Sequence, residues 1–100
     1  MRIIIVGCGK VGSTITEQLV KEGHDVAVID RDSDVIQDIT NNFDVMGVVG
    51  NGASYSIQKE AGIEDAHLLI AVTGSDEQNL LCCLFAKKAG NCNTTARVRN

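Results

Sequence analysis

The residues of this chain best suited to chemistry are three glycines in the run Gly7-Cys8-Gly9-Lys10-Val11-Gly12, followed by Asp30 eighteen positions after Gly12. The pattern G-x-G-x-x-G suits a pyrophosphate. Gly7 permits a tight turn, Gly9 lets phosphate oxygens come close to the backbone, and Gly12 allows a helix to pack closely on a sheet. Backbone amides at the helix start, at Cys8, Lys10 and Val11, then meet the phosphates at the favourable end of the helix dipole. The carboxylate of Asp30 can accept hydrogen bonds from both hydroxyls of an adenine ribose. It would repel a 2′-phosphate, which favours NAD over NADP, although Arg31 beside it weakens that preference.

Glycines cluster in many surface turns, so the flanking elements decide whether this run is a binding loop. Residues 2 to 6 are a continuous apolar run bounded by glycine, as a parallel strand buried on both faces should be. A helix follows from about Lys10 to Glu22, with Val11, Ile15 and Leu19 as its apolar stripe and Gly23 supplying a left-handed end. Asp25 to Asp30 reads as the second strand. Asp32 or Ser33 can cap a second helix whose apolar face is Val35, Ile36, Ile39 and Phe43. The third strand is Val45 to Val49, followed by a glycine turn and a short helix capped by Ser54 that runs through Glu60 and ends at Gly62. His67 to Val72 is the fourth strand. Ser75 with Gln78 matches a capping box for a fourth helix, which would turn Leu80, Leu81, Leu84 and Phe85 inward and stop at Gly90. Thr94 to Val98 is a fifth strand.

Alternating strands and helices predict an α/β fold: a Rossmann-like doubly wound parallel sheet of about five strands, with helices on both faces. The run ends on a strand, without the helix and sixth strand of the full fold. The expectation is a single domain over residues 1–100, C-terminally truncated, from a longer chain.

Composition narrows the partners. Hydrophobic residues at 44% and charged residues at 22% exclude a disordered chain, and aromatics at 3% require an aliphatic core. With a net charge of −4 and no basic cluster longer than Lys87-Lys88, the footprint of a nucleic-acid binder is missing. No apolar run approaches the roughly 20 residues that cross a bilayer. The run after Arg2 ends in a glycine turn rather than a cleavage site, so a cytoplasmic location is expected. Cys8, Cys82, Cys83 and Cys92 have neither zinc-site nor disulfide spacing and read as reduced, packed thiols. Cys8 stands apart because a helix N-terminus lowers a thiol pKa, which leaves a redox role open.

In an open parallel sheet, ligands bind outside the carboxyl ends of the strands where the strand order reverses. That rule brings Asn51, from the turn after strand three, and Thr73, Gly74, Ser75 and Asp76, after strand four, to the crevice of the glycine loop. Turn and cap chemistry alone also selects these residue types. Arg97, at the end of strand five, could reach a phosphate or pair across an interface. Hydride transfer usually needs an acid or base beside the nicotinamide, most often histidine. His24 and His67 both fall at the amino edge of the sheet, opposite the crevice, and no catalytic residue is assigned.

The runs IIIVGCGKVGSTITEQLVKEGHDVAVIDRD, VVGNGASYSIQKEAGIEDAHLLIAVTGSDEQNLLCCLFAKK and TTARVRN together resemble, over essentially the whole chain, the N-terminal domain of TrkA-type potassium-uptake regulators, also called KTN or RCK domains. The features that go beyond the glycine fingerprint are V-x-G-N/D-G-x, A-V-T-x-x-D-E-x-N and A-R-V, in that order. The resemblance implies a cytoplasmic domain that senses NAD(H) or ATP/ADP, forms dimers and larger rings, and gates a membrane potassium transporter or channel. Its place would be peripheral, at the inner face of the membrane, through that partner. It maps Gly7, Gly9, Gly12, Asp30 and Arg31, with Asn51, Thr73 and Asp76, to the nucleotide site, and Arg97 to a phosphate or a subunit interface. The family domain normally continues past Arg99. Two other readings stand beside it: the dinucleotide-binding domain of an NAD-dependent oxidoreductase whose catalytic domain lies elsewhere, and a generic interaction domain with a vestigial pocket.

Overall fold

The structure, a computed structural model, describes residues 1–90 and 92–99; the last residue of the TTARVRN run lies outside them. Five parallel strands, β1 (Arg2–Val6), β2 (Asp25–Asp30), β3 (Met46–Val49), β4 (Leu68–Ala71) and β5 (Asn93–Ala96), form one sheet in the order β3-β2-β1-β4-β5. The connecting helices are α1 (Lys10–Lys21), α2 (Ser33–Asn42), α3 (Tyr55–Glu60) with a 3-10 turn at Ile63–Asp65, and α4 (Asp76–Ala89). This is the doubly wound parallel sheet that the alternation predicts.

Alternation along the buried strands divides the core. Ile3, Ile5, Val26 and Val28 face the α1 and α2 side, where they meet Ile36 and Ile39. Ile4, Val6, Ala27, Ile29, Leu69 and Ala71 face the other side, against Ile63, Cys82 and Ala86. The central strand β1 pairs with β2 through Ile3↔Val26 and with β4 through Ile3↔Leu68. Strand order therefore reverses between β1 and β4, which opens a crevice at their carboxyl ends.

Helix α4 departs from the sequence expectation. Leu80, Leu81, Leu84 and Phe85 are all exposed, by 39% or more, while Asn79, Cys82 and Ala86 are fully buried. Small residues at this face let the helix approach the sheet closely, and Asn79 must face inward because four hydrogen bonds wait for it there. In helix α1 only Val11 departs, since Ile15 and Leu19 pack against the core as the stripe predicts. Val11 is exposed, and Gly12 and Thr16 are its buried residues, the Thr16 hydroxyl being satisfied by donating to Gly12 O at 2.8 Å.

Strand β5 ends before the expected Val98. Arg97 N still donates to Ala71 O, but the next backbone groups bond to α4 side chains, and Val98 is exposed. Ser54 occupies the cap position of α3 without a capping hydrogen bond, its hydroxyl lying 3.0 Å from that of Ser56. The remaining boundaries agree with expectation within a residue or so, and Gly23 and Gly62 take the left-handed conformation, at φ of 87° and 93°.

Candidate functional site

Strand order and the glycine loop together create a cleft of about 460 Å³ at the carboxyl ends of the strands. Its floor is apolar, formed by Val6, Ile29 and Val72. Around it stand Gly7 and Gly9, then Asp30 and Arg31, then Gly50 and Gly52, then Thr73, Gly74, Ser75 and Gln78.

The glycines have different tasks. Gly7 has φ of 99°, and a Cβ there would meet the backbone of Thr73 at 2.9 Å, so the turn can pass against the β4 loop only as glycine. A Cβ on Gly12 would collide with the carbonyl oxygen of Gly7, which fixes how closely α1 follows the turn. Gly9 is exposed, and a Cβ on it would meet nothing within 4 Å on the protein. The space beside it belongs to the cleft. Helix α1 begins here with Gly9 as its cap, with no capping side chain and no acidic residue in its first turn. By contrast, α2 is capped by Asp32, which accepts from Asp34 N, and α4 by Ser75, which accepts from Gln78 N. The positive end of α1 is thus left open toward the cleft, the arrangement that suits an anion.

Asp30 is held rigidly. Its Oδ2 accepts from Cys8 N at 2.9 Å and its Oδ1 from Asp32 N at 2.9 Å. Each carboxylate oxygen retains a further lone pair, so both can still accept from a ligand. Arg31 is exposed beside it on the cleft rim.

Of the residues assigned from sequence, Gly7, Gly9, Asp30, Arg31, Thr73 and Gly74 line the cleft. Gly12 supports it from behind. Lys10 and Val11 are exposed in the first turn of α1. Asn51 is exposed on the β3–α3 loop, where its Oδ1 accepts from Ala53 N at 2.9 Å and from Gln78 Nε2. Asp76 accepts from Arg99 N at 3.1 Å, and half-buried Arg97 is engaged through its backbone. The Cys8 amide, expected at a phosphate, is instead taken up by Asp30 Oδ2, and the Cys8 side chain turns into the core on the α1 side. Burial, reinforced by the Asp30 charge, pushes the Cys8 thiol up to about 12, against the lowering expected of a helix N-terminus. A thiol kept protonated in this way is a poor nucleophile.

The residue that sequence reasoning missed is Gln78. The Ser75-x-x-Gln78 spacing was a signal for it, but one that points to a reciprocal cap. Instead its side chain leaves the cap, reaches across to Asn51, and lines the cleft. Both histidines are distant from these groups in the fold. His24 Nδ1 lies 3.2 Å from the terminal amine of Met1, and His67 Nδ1 accepts from Arg2 N at 3.0 Å, which places both at the amino ends of the strands. No helix among the described residues is long and apolar enough to cross a membrane.

Comparison with known proteins places this geometry. The model of the TrkA-N domain family matches residues 3–100. The Trk system potassium uptake protein TrkA of Halomonas elongata is 42% identical over 86 residues, which cover 86% of this chain and 19% of that protein. The protein of the same name from Vibrio alginolyticus is 38% identical over 101 residues, covering 100% and 22%. The chain spans about a fifth of the length of these relatives. Among solved structures, the TrkA-N domain of the inner membrane protein ybaL from Escherichia coli superposes with a TM-score of 0.86 at 23% identity, over 93% of this chain and 69% of that one. The GsuK channel bound to NAD gives a TM-score of 0.81 at 19% identity, over 93% and 17%. The Kef CTD of Shewanella denitrificans in its AMP-bound form gives 0.79 at 21%, over 94% and 58%. At these identities the structures establish a shared fold.

Proposed function

Because the chain belongs to the TrkA-N domain family, we propose that it is a nucleotide-sensing regulatory domain which binds NAD(H) or ATP/ADP in the cleft and thereby controls a membrane potassium transporter or channel. One observation carries this reading: the uncapped start of α1 and the immobilised Asp30 carboxylate lie on one cleft with an apolar floor. The first suits a phosphate, the second a ribose, and the floor an adenine ring. The domain works by differential binding rather than by chemistry, since a ligand shifts a two-state equilibrium only by its difference in affinity for the two states. Support for a non-catalytic role comes from the histidines, which occupy the opposite end of the sheet. A cytoplasmic position against the transporter, and assembly into dimers or rings, follow from the family reading.

Calorimetric titration of the chain with NAD, NADH, ATP, ADP and NADP tests the proposal. Adenine nucleotides with a free 2′-hydroxyl should bind, and NADP should bind more weakly because its 2′-phosphate meets Asp30. Absence of binding by all five would refute it.

A further inference from the structure

The first turns of α4 hold more than the cleft. Asn79 is fully buried and uses every hydrogen-bonding position of its amide. Its Oδ1 accepts from Thr73 N at 2.8 Å and from Thr73 Oγ1 at 2.6 Å. Its Nδ2 donates to Thr73 O at 3.2 Å and to Arg97 O at 2.8 Å. One rigid planar group therefore joins the cleft rim at Thr73 to the chain leaving β5. One turn earlier on the same helix, Asp76 accepts from Arg99 N and secures that departing chain a second time.

We infer that Asn79 is a positioning residue that passes occupancy of the cleft to the segment Arg97–Arg99. The step follows from proton counting. The Thr73 hydroxyl has one proton, and its closest acceptor is Asn79 Oδ1, at 2.6 Å, rather than Ser75 O, at 3.2 Å. An anionic oxygen in the cleft that takes this proton leaves the lone pairs of Thr73 Oγ1 facing those of Asn79 Oδ1. Two acceptors at that distance repel, and against that repulsion Oδ1 keeps only its bond from Thr73 N, so the balance shifts toward an amide that turns or withdraws. Nδ2 belongs to the same plane and cannot keep its bond to Arg97 O while Oδ1 retreats. The two states are thus Thr73 bonded to Asn79 with Arg97 held, and Thr73 bonded to ligand with Arg97 released. This deepens the nucleotide reading, on which it rests for the anion that occupies the cleft.

The test compares the wild-type chain with Thr73→Val and Thr73→Ser by amide hydrogen exchange and NMR. Without ligand, Thr73→Val should speed exchange of the Arg97 and Arg99 amides about fivefold, the loss expected of one net hydrogen bond, and Thr73→Ser should not. If the valine variant does not fold, Thr73→Ala serves in its place. Unchanged exchange at both arginines would overturn the inference. With saturating ATP, the nitrogen shift of Val98, whose amide shares a peptide unit with the Arg97 carbonyl, should move in the wild type and stay still in Thr73→Val. Calorimetry on the same samples separates the two proposals. Binding without movement at Val98 overturns the coupling and leaves the functional reading standing. Absence of binding overturns the functional reading and the coupling with it.

Discussion

Replacing Asp30 separates its two duties, holding the glycine turn and holding a ribose. In Asp30→Ala the amides of Cys8 and Asp32 both lose their acceptor. The Asp32 amide is exposed and rebinds water, whereas the Cys8 amide is part-buried, so the cost falls mainly there, at about 1–3 kcal/mol. A domain of this size loses about 4–8 °C of melting temperature per kcal/mol, so the alanine variant should melt about 10 °C lower. Asp30→Asn behaves differently. Its carbonyl oxygen can replace Oδ2 at the Cys8 amide, and its NH₂ displaces the Asp32 amide toward water at a cost of about 0.5–1 kcal/mol. For ligand binding the asparagine is no substitute. It removes the charge and turns one ribose acceptor into a donor, and a charge-assisted bond is worth about 1.5–3 kcal/mol, or about 10- to 150-fold in affinity. Thermal melts and calorimetry with NAD or ATP should therefore show Asp30→Asn close to the wild type in stability yet at least about tenfold weaker in binding. Asp30→Ala should be impaired in both. Wild-type affinity in the asparagine variant would refute the assignment of this carboxylate to the ribose.

The two glycines flanking the start of α1 should respond in opposite ways: Gly12→Ala should cost about 1–3 kcal/mol or more by overpacking against Gly7 O, seen in urea denaturation, whereas Gly9→Ala should leave stability within about 0.5 kcal/mol and weaken nucleotide binding in calorimetry. On α4, Leu84→Gln should change stability by no more than about 0.5 kcal/mol and Ala86→Leu should cost about 1–3 kcal/mol; the reverse order in denaturant midpoints would mean the helix is rotated. Stability should fall at alkaline pH. Burial raises Cys8 to about 12 and Cys82 to about 11, against about 9 for an unfolded thiol, so above pH 9 the unfolded chain holds fewer protons than the folded one. The loss is up to about 1.4 kcal/mol per pH unit for each thiol, ending near pH 11 for Cys82 and near pH 12 for Cys8. Urea midpoints measured from pH 8 to 11 should flatten in Cys8→Ala, and an equal slope would count against the burial of that thiol.

The central strands were legible because a strand buried on both faces admits little except aliphatic residues, as β1 and β2 show. Helix α4 was not legible because it is apolar on its outer side too. Hydrophobicity alone selects the four largest residues, whereas the structure selects the face that lets Asn79 reach Thr73 and Arg97. The glycine loop and Asp30 could be placed by spacing, since their tasks are carried by backbone conformation and a single carboxylate. Gln78 could not, because its contact with Asn51 joins the first turn of α4 to a loop distant in sequence. The thiol of Cys8 misled for a related reason. Proximity to a helix start is visible in sequence, but the direction of the side chain, into the core, is set by packing.

The placement of β1 between β2 and β4 has a consequence for the nascent chain. Its partner on one side begins at Asp25, but its partner on the other begins only at Leu68. At a ribosomal rate of about 5–20 residues per second, the interval from Val6 to Leu68 lasts roughly 3–12 s. Throughout it, one edge of β1 offers unpaired amides and carbonyls to any strand that comes near. The half made of β1, β2 and β3 must wait with that edge bare, and the cleft, which needs walls from both halves, is complete only when β4 and the start of α4 arrive.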